Sequence, residues 1–267
     1  MSTKNPNRID NTFANLKSNN RSGFVAYIMG GDPDFDKSLA LMKAMPDAGV
    51  DIIELGMPFT DPAADGPVIE LAGLRSLKAK TNVGTILKMA TEFRKTNNTT
   101  PIIVMGYANP IHHMGYATFA AAAKNAGIDG AIIVDLPPEE DAELRAAFET
   151  HDLALIRLAT PTTDDARLPI VTKDTKGFVY YVSVAGVTGK ALGQSADVAS
   201  AVARIRKSSG LPVVVGFGVK TPEQATSVAK DADAVVVGSA IVDTFFKHGH
   251  NEAIKLIKSL ADAAHKT

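Results

Sequence analysis

The sequence feature that most constrains the fold is a regular alternation of short apolar runs and segments with helical spacing. About eight runs rich in β-branched residues are each followed by a helical segment. Strands that alternate with helices in this way form a parallel sheet with helices packed on it. Eight such units in 267 residues suit a closed barrel. We therefore predict the α/β class and a (β/α)8 TIM barrel, with a short extra N-terminal helix near residues 11–17.

The predicted elements follow one another through short connections. Predicted strands occupy residues 24–29, 50–55, 101–106, 130–136, 153–159, 178–184, 212–216 and 234–237, and predicted helices occupy residues 35–48, 69–79, 83–96, 116–126, 139–150, 164–172, 196–208 and 251–264, with one more beginning at residue 221. No linker separates them, so we predict a single domain over residues 1–267. The competing architecture is a doubly wound open sheet. Its usual Gly-x-Gly-x-x-Gly motif is missing after the first strand, where Gly30-Gly31-Asp32 stands instead.

Composition removes several classes of function. The formal net charge is −1, which gives no support for nucleic acid or an anionic membrane as a partner. The chain has no cysteine, so disulfides, thiolate metal sites and a cysteine nucleophile are excluded. The polar first twenty residues do not resemble a signal peptide, and no apolar run is long enough to span a bilayer. The expected location is the cytoplasm.

An acidic cluster stands at the end of the second predicted strand, in the sequence VDIIELGMPFTDPAADG of residues 50–66. Glu54 lies inside the apolar run, where an ionised carboxylate is costly unless it is paired, hydrogen-bonded or protonated. Asp61 and Asp65 follow on a loop marked by prolines and glycines. In a barrel of this type the active site lies at the C-terminal ends of the strands. The three acids are therefore candidates for proton transfer.

Each acid also has a structural interpretation. The alternative for Glu54 is a structural acid that forms a salt bridge with Arg157 or caps a loop. The alternative for Asp61 and Asp65 is a turn-forming role, because aspartate is common in turns with proline and glycine. Asp135, at the end of the fourth strand, is interpreted as a supporting residue that caps a helix. The location of three acids at one strand end favours catalysis.

Glycine-rich turns after the last three strands indicate a phosphate site. They are Gly186-Val187-Thr188-Gly189, Gly216-Phe217-Gly218 and Gly238-Ser239. Glycine lets backbone N–H groups close on an anion, and turns after strands seven and eight are the usual phosphate site of this fold. A role of these glycines in merely turning the chain is the weaker alternative, because three such turns meet at one rim.

The remaining residues of the predicted rim define the walls of a pocket and the kind of chemistry. The expected apolar and aromatic walls are Tyr27, Ile69, Met105, Tyr107, Tyr180 and Phe217. The neighbouring His112 and His113 lack the spacing of metal ligands on one helix face, so we predict no metal site. No predicted strand has an interior lysine, which argues against a Schiff-base aldolase. The residues alone thus predict cofactor-free acid–base chemistry on a small phosphate ester.

Several stretches together resemble the tryptophan synthase alpha chain family. They are residues 54–67 (ELGMPFTDPAADGP), 185–189 (AGVTG), 216–218 (GFG) with 238–241 (GSAI), 107–110 (YANP) and 31–33 (GDP). The resemblance covers nearly the whole chain from about Phe24. It implies retro-aldol cleavage of indole-3-glycerol phosphate to indole and glyceraldehyde 3-phosphate. The rival interpretations are another phosphate-binding barrel isomerase or lyase, and a non-catalytic barrel that binds a beta-like subunit.

The resemblance also implies a role for each matching residue. Glu54 matches the catalytic glutamate that moves the proton, and Asp65 matches the aspartate that binds the indole N–H. Residues that match the substrate-binding set are Tyr27, Tyr107, Tyr180, Thr188, Gly189, Phe217, Gly218, Gly238 and Ser239. The segment from about Thr188 to Ala196 matches a loop that closes over the substrate.

A partner is implied as well. The family's PLP-dependent beta subunit receives the indole through a tunnel, in an expected α2β2 assembly, and this chain itself is expected to hold no cofactor. Residues that match the partner-facing surface are Pro58, Asp61, Asn109 and Pro138. The chain departs from the family pattern at two places. Val184 stands where many relatives have arginine, and His112-His113 replace the residues expected after Asn-Pro-Ile, near the expected partner surface.

Overall fold

The computed structural model of the chain describes residues 7–183, 195–216 and 218–266. This part of the chain contains one sheet of parallel strands. The strands are β1 (Gly23–Met29), β2 (Ile52–Gly56), β3 (Ile102–Gly106), β4 (Gly130–Ile133), β5 (Ala154–Ile156), β6 (Leu158–Ala159), β7 (Val179–Val182), β8 (Val213–Gly216) and β9 (Ala234–Val237). Their spatial order is β5-β4-β3-β2-β1-β9-β8-β7-β6.

The sheet closes on itself at Arg157. β5 pairs with β4, β6 pairs with β7, and Arg157 alone separates β5 from β6. The two ends of the sheet therefore meet within one interrupted strand, and the nine strands occupy eight positions around a barrel. The predicted (β/α)8 fold is confirmed, and the doubly wound open sheet is wrong.

Helices cover the outside of the barrel. They are α1 (Arg8–Ser18), α2 (Phe35–Ala44), α3 (Pro67–Lys78), α4 (Val83–Arg94), α5 (Ala108–Met114), α6 (Tyr116–Ala126), α7 (Ala142–Thr150), α8 (Leu168–Thr172), α9 (Ser195–Ser209), α10 (Pro222–Ala229), α11 (Ser239–His248) and α12 (His250–Ala264). Within the described ranges, no helix is long and apolar enough to cross a membrane.

Side chains alternate between the two faces of each strand, and this alternation divides the core into an outer and an inner cluster. On β2, Ile53 and Leu55 belong to the cluster between the sheet and the outer helices, whereas Ile52 belongs to the cluster inside the barrel. Successive side chains of a strand point to opposite faces. Glu54 therefore points inward, like Ile52, and every residue of β2 is buried.

The predicted N-terminal helix is present as α1, and it closes one end of the barrel. Its Ile9 and Phe13 are buried in the inner cluster, where the Phe13 and Phe178 rings lie 5.8 Å apart between centroids. An ion pair of 2.8 Å between Arg8 and Asp129 fixes the start of the helix. With the N-terminal ends of the strands closed, the inner space opens at their C-terminal ends.

The elements differ from the predictions in a few places. α5 and α11 were not predicted, because Pro110 and the Gly238-Ser239 pair indicate turns in the sequence. The predicted helix at 139–150 begins only at Ala142, because a turn from Pro137 to Glu140 precedes it. The predicted strand at 153–159 is interrupted, and the last residue of the predicted strand at 178–184 lies outside the described residues. Whether residues 1–267 act as one domain stays a prediction.

Candidate active site

Glu54 is a buried acid without a hydrogen-bond partner. Its side chain is 1% exposed, and neither carboxylate oxygen has a partner among the described residues. The salt bridge with Arg157 is wrong, because Arg157 Nε binds Asp141 Oδ2 at 2.7 Å instead. An unpaired acid costs stability at this depth, so its position requires a functional explanation.

The surroundings keep Glu54 protonated near neutral pH. Burial raises the pKa of Glu54 from 4.5 to about 8, because the ionised form loses its hydration there. A carboxyl of this kind can donate a proton at pH 7 and is then a stronger base than an ordinary carboxylate.

Asp65 lies on the loop of residues 57–66 that joins β2 to α3. Its carboxylate Oδ1 accepts a hydrogen bond of 3.1 Å from the Tyr107 hydroxyl at the end of β3. Burial raises the pKa of Asp65, and the bond from Tyr107 opposes this rise. The structure thus holds the second predicted acid at the same rim as Glu54.

Tyr27 and Tyr180 form the inner wall next to Glu54. Both side chains are more than nine-tenths buried. Tyr27 is the register partner of Glu54 on the neighbouring strand. Burial raises the pKa of Tyr27, and the charges of Asp65 and Glu54 raise it further, so both carboxyls lie within electrostatic range of its hydroxyl. Burial and the charge of Glu54 likewise raise the pKa of Tyr180.

Two glycines make room for these hydroxyls. A Cβ added to Gly56 would lie 2.2 Å from the Tyr27 hydroxyl oxygen, and one added to Gly216 would lie 2.3 Å from that of Tyr180. Any larger residue at either strand end would displace a tyrosine from the wall. Sequence reasoning assigned Gly216 to the phosphate turn and found no such role for Gly56, because the contact joins separate strands.

An unpredicted helix begins at the same rim. α11 begins at Ser239 directly after β9, with Gly238 as its N-cap, and its first described ladder bond runs from Val242 N to Gly238 O at 3.0 Å. The N–H groups of the first turn stay outside that ladder and give the helix start a positive end. This geometry suits a phosphate beside Ser239. After the adjacent strand β8, Gly218 has a positive φ of 85° that glycine tolerates.

Several predicted residues lie outside the described residues or remain untested. Thr188, Gly189 and Phe217 of the substrate-binding set fall outside, as do Val184 and the closing segment up to residue 194. Of the predicted partner surface, Asp61 and Asn109 are exposed, Pro138 is partly exposed and Pro58 is buried. His112 and His113 are exposed on α5.

Asp135 and Asp32 have structural roles. Asp135 Oδ1 accepts a 2.8 Å hydrogen bond from the N–H of Ala108, so it caps α5, which precedes it, rather than the helix that follows. Asp32 accepts two bonds of 2.7 Å from the Arg75 guanidinium. Both carboxylates therefore have partners, unlike Glu54.

A cavity of about 300 Å³ lies beside the site, between the ends of β4 and β5 and helix α8. Pro138, Arg157 and Arg167 line it, and neither candidate catalytic acid does. The two arginines that line it have acidic partners, because Arg157 pairs with Asp141 and Arg167 with Glu139. We therefore assign the chemistry to the Glu54 rim. The described residues contain no group of three His, Cys, Asp or Glu side chains that could hold a metal ion.

A closed parallel barrel with an unpaired acid at its C-terminal rim and a helix start two strand positions away defines the chain as a (β/α)8 barrel protein with a candidate acid–base site. Comparison with known proteins identifies the family. Residues 13–266 match the family model described as "Tryptophan synthase alpha chain". The chain belongs to the tryptophan synthase alpha chain family.

Individual relatives agree with this assignment. The chain is 58% identical over 236 residues to the tryptophan synthase alpha chain of Caulobacter vibrioides (strain NA1000 / CB15N). The aligned residues make up 88% of this chain and 86% of the relative. The tryptophan synthase subunit alpha from Legionella pneumophila str. Paris is 38% identical with a TM-score of 0.90, over 97% of this chain and 99% of that one. A structure of Mycobacterium tuberculosis tryptophan synthase is 34% identical with a TM-score of 0.91, over 98% of this chain and 100% of that one.

Proposed function

We propose that this chain cleaves indole-3-glycerol phosphate to indole and glyceraldehyde 3-phosphate by a retro-aldol reaction. Membership of the tryptophan synthase alpha chain family supplies the substrate class. The observation that carries the proposal is the buried, unpaired carboxyl of Glu54 at the barrel rim. The reaction needs an acid that is protonated before the first step and basic after it, and a pKa of about 8 suits both.

Glu54 acts twice in this scheme. It first donates its proton to C3 of the indole ring, which turns the ring into a cation with its charge on the ring nitrogen. As a carboxylate it then accepts the proton of the hydroxyl on the adjacent glycerol carbon. The bond between that carbon and C3 breaks, its electron pair neutralises the ring, and the hydroxyl oxygen becomes the aldehyde oxygen. Atoms and charge balance without a cofactor in this chain.

Asp65 binds the ring nitrogen during these steps. Its carboxylate accepts a hydrogen bond from the indole N–H and stabilises the positive charge that develops there. Such an interaction is stronger in the transition state than in the bound substrate, so it accelerates the reaction rather than only tightening binding. The partly buried position of Asp65 increases the strength of the attraction.

The phosphate group anchors the substrate at the ends of the neighbouring strands β8 and β9, on one side of the Glu54 position. The start of α11 provides backbone N–H groups and the Ser239 hydroxyl. At the turn of Gly218, no side chain stands between the backbone and the phosphate. Tyr27 and Tyr180 supply the wall next to the reacting carbons. Thr188, Gly189 and Phe217 complete the binding set in this proposal.

A PLP-dependent beta subunit is the partner that the family implies. We propose that it binds the surface with Pro58, Asp61, Asn109 and Pro138, in an α2β2 assembly, and converts the released indole to L-tryptophan. The exposed Asp61 and Asn109 lie at two neighbouring loops of the rim, which favours one continuous surface. Pro58 is buried in the same loop as Asp61.

A product assay tests the proposal. The purified chain is incubated with indole-3-glycerol phosphate, with and without a beta subunit, and indole and glyceraldehyde 3-phosphate are measured by chromatography. We expect equal amounts of both products from the wild-type chain. Absence of both products under both conditions would overturn the proposal and favour a non-catalytic barrel or a barrel with another substrate.

A further inference from the structure

The Tyr107 hydroxyl joins two residues of the loop 57–66 to the end of β3. It accepts a hydrogen bond of 3.0 Å from the N–H of Ala64, and it donates one of 3.1 Å to Asp65 Oδ1. The Tyr107 side chain is 4% exposed, and both bonds are partly buried. One oxygen thus fixes both the backbone and the carboxylate at the tip of this loop.

The loop has little else to hold its tip. Within the described part of the chain, the other hydrogen bonds of residues 60–65 are turns inside the loop, from Ala63 N to Asp61 O and from Asp65 N to Pro62 O. Asp61, Ala63 and Ala64 are exposed. The position of the Asp65 carboxylate therefore depends on its contact with Tyr107.

Tyr107 itself stands on a rigid support. Its own backbone is the N-cap of α5, and the next N–H, of Ala108, is held by Asp135 at the end of β4. The Phe59 ring packs on the Tyr107 ring with 5.3 Å between centroids. A hydroxyl that is held from the ends of β3 and β4 can determine the position of a loop residue.

We propose that Tyr107 is a positioning residue, whose hydroxyl holds Asp65 and the loop tip in the geometry that binds the indole N–H. The inference rests on the proposed function and adds a role that is distinct from contact with the substrate. Tyr107 occupies one carboxylate oxygen of Asp65 and leaves the other to accept the indole N–H. The hydroxyl also restricts rotation of the carboxylate before the substrate arrives, which is the usual benefit of a preorganised site.

The test is a double-mutant cycle of Tyr107→Phe and Asp65→Asn, with the wild-type chain as reference. Cleavage of indole-3-glycerol phosphate is measured for each single variant. Dissociation constants are measured for all four proteins with an indol-3-ylalkyl phosphate that lacks the hydroxyl and cannot be cleaved. Tyr107→Phe removes one oxygen and keeps the ring that packs on Phe59, so the chain keeps its packing.

We expect Tyr107→Phe to lower kcat/KM by about 10- to 100-fold, on the order of one lost hydrogen bond to a charged group. In the Asp65→Asn background the same change should alter the dissociation constant of the analogue less than about 3-fold, because the group to be positioned has already changed. The acidic limb of the kcat/KM profile should move to higher pH in Tyr107→Phe, because a donor to the Asp65 carboxylate is lost.

The control is Tyr181→Phe, which removes the hydroxyl of an equally buried tyrosine on the helix-facing side of the sheet. We expect its kcat/KM to stay within about 2-fold of the wild-type value. Wild-type rates in Tyr107→Phe, or effects of the two variants that multiply in the binding cycle, would overturn the positioning role. A wild-type chain without any cleavage activity would overturn the proposed function instead, so the two failures are distinguishable.

Discussion

Replacement of Glu54 by Gln should make the chain more stable at high pH while it removes activity. In the unfolded chain Glu54 ionises near its ordinary pKa of 4.5, whereas burial raises the pKa in the folded chain to about 8. Below pH 4.5 the residue is protonated in both states. Between pH 4.5 and 8 the folded chain keeps a proton that the unfolded chain loses, so stability falls by about 1.4 kcal/mol per pH unit. Above pH 8 the loss of stability relative to low pH is constant, at about 5 kcal/mol at most.

Glutamine has nearly the same shape and does not titrate, so Glu54→Gln removes this pH dependence. Urea unfolding of both proteins at pH 5 and pH 9 gives the difference in their free energies of unfolding. We expect that difference to grow in favour of the variant by about 4 kcal/mol between the two pH values. The actual figure is smaller where water enters the barrel and stabilises the carboxylate.

The matched control is Glu143→Gln, which changes an exposed glutamate on α7. Its stability relative to the wild-type chain should stay constant within about 0.5 kcal/mol over the same pH range. A Glu54→Gln difference that is equally constant would refute the reasoning, because it would mean that Glu54 is not a neutral buried acid in the folded chain.

Three further predictions concern other parts of the molecule. Ser239→Ala should raise KM for the phosphate ester about 10- to 100-fold with little change in kcat, because one donor to a charged group is lost at the start of α11. A change in kcat alone would contradict the anchoring role. Gly73→Ala in α3 should raise the free energy of unfolding by about 0.5 to 1 kcal/mol, because alanine favours a helix more than glycine does and the added methyl group meets only Met29 Cε, at 3.6 Å. Thermal or urea unfolding measures this, and destabilisation would show that the helix has no room for the methyl group. Arg75→Ala should lower the free energy of unfolding by about 3 kcal/mol, because it leaves the buried Asp32 carboxylate without its partner; a loss below about 1 kcal/mol would contradict this ion pair's importance.

The barrel could be predicted from the sequence because its signal is repeated along the whole chain. Each apolar run and each amphipathic run independently supports the same architecture, so errors in single elements do not change the result. α5 and α11 were missed for a local reason. Pro110 lies in the first turn of α5, and Gly238 lies at the start of α11, and both residue types indicate turns when they are considered without their tertiary contacts.

The candidate acids could also be found in the sequence, but their environments could not. Glu54 was conspicuous as a carboxylate inside an apolar strand. Whether Arg157 neutralises it depends on which face of each strand the two side chains share, and the structure places Arg157 next to Asp141 instead. The bond from Tyr107 to Asp65 spans 42 residues and depends on how two loops meet at the rim. Contacts of this kind follow from tertiary packing and have no local pattern.

The most direct test of the central claim is the rate of indole release from indole-3-glycerol phosphate by Glu54→Gln and by the wild-type chain. Both proteins are assayed at pH 7 and saturating substrate, with binding of the uncleavable indol-3-ylalkyl phosphate measured in parallel. Proton transfer by a positioned residue contributes roughly 10²- to 10⁴-fold, and Glu54 acts in two transfers. We predict a rate at least about 10³-fold lower in the variant, with a dissociation constant for the analogue within about 3-fold of the wild-type value. Indole release by Glu54→Gln within about 10-fold of the wild-type rate would contradict the account.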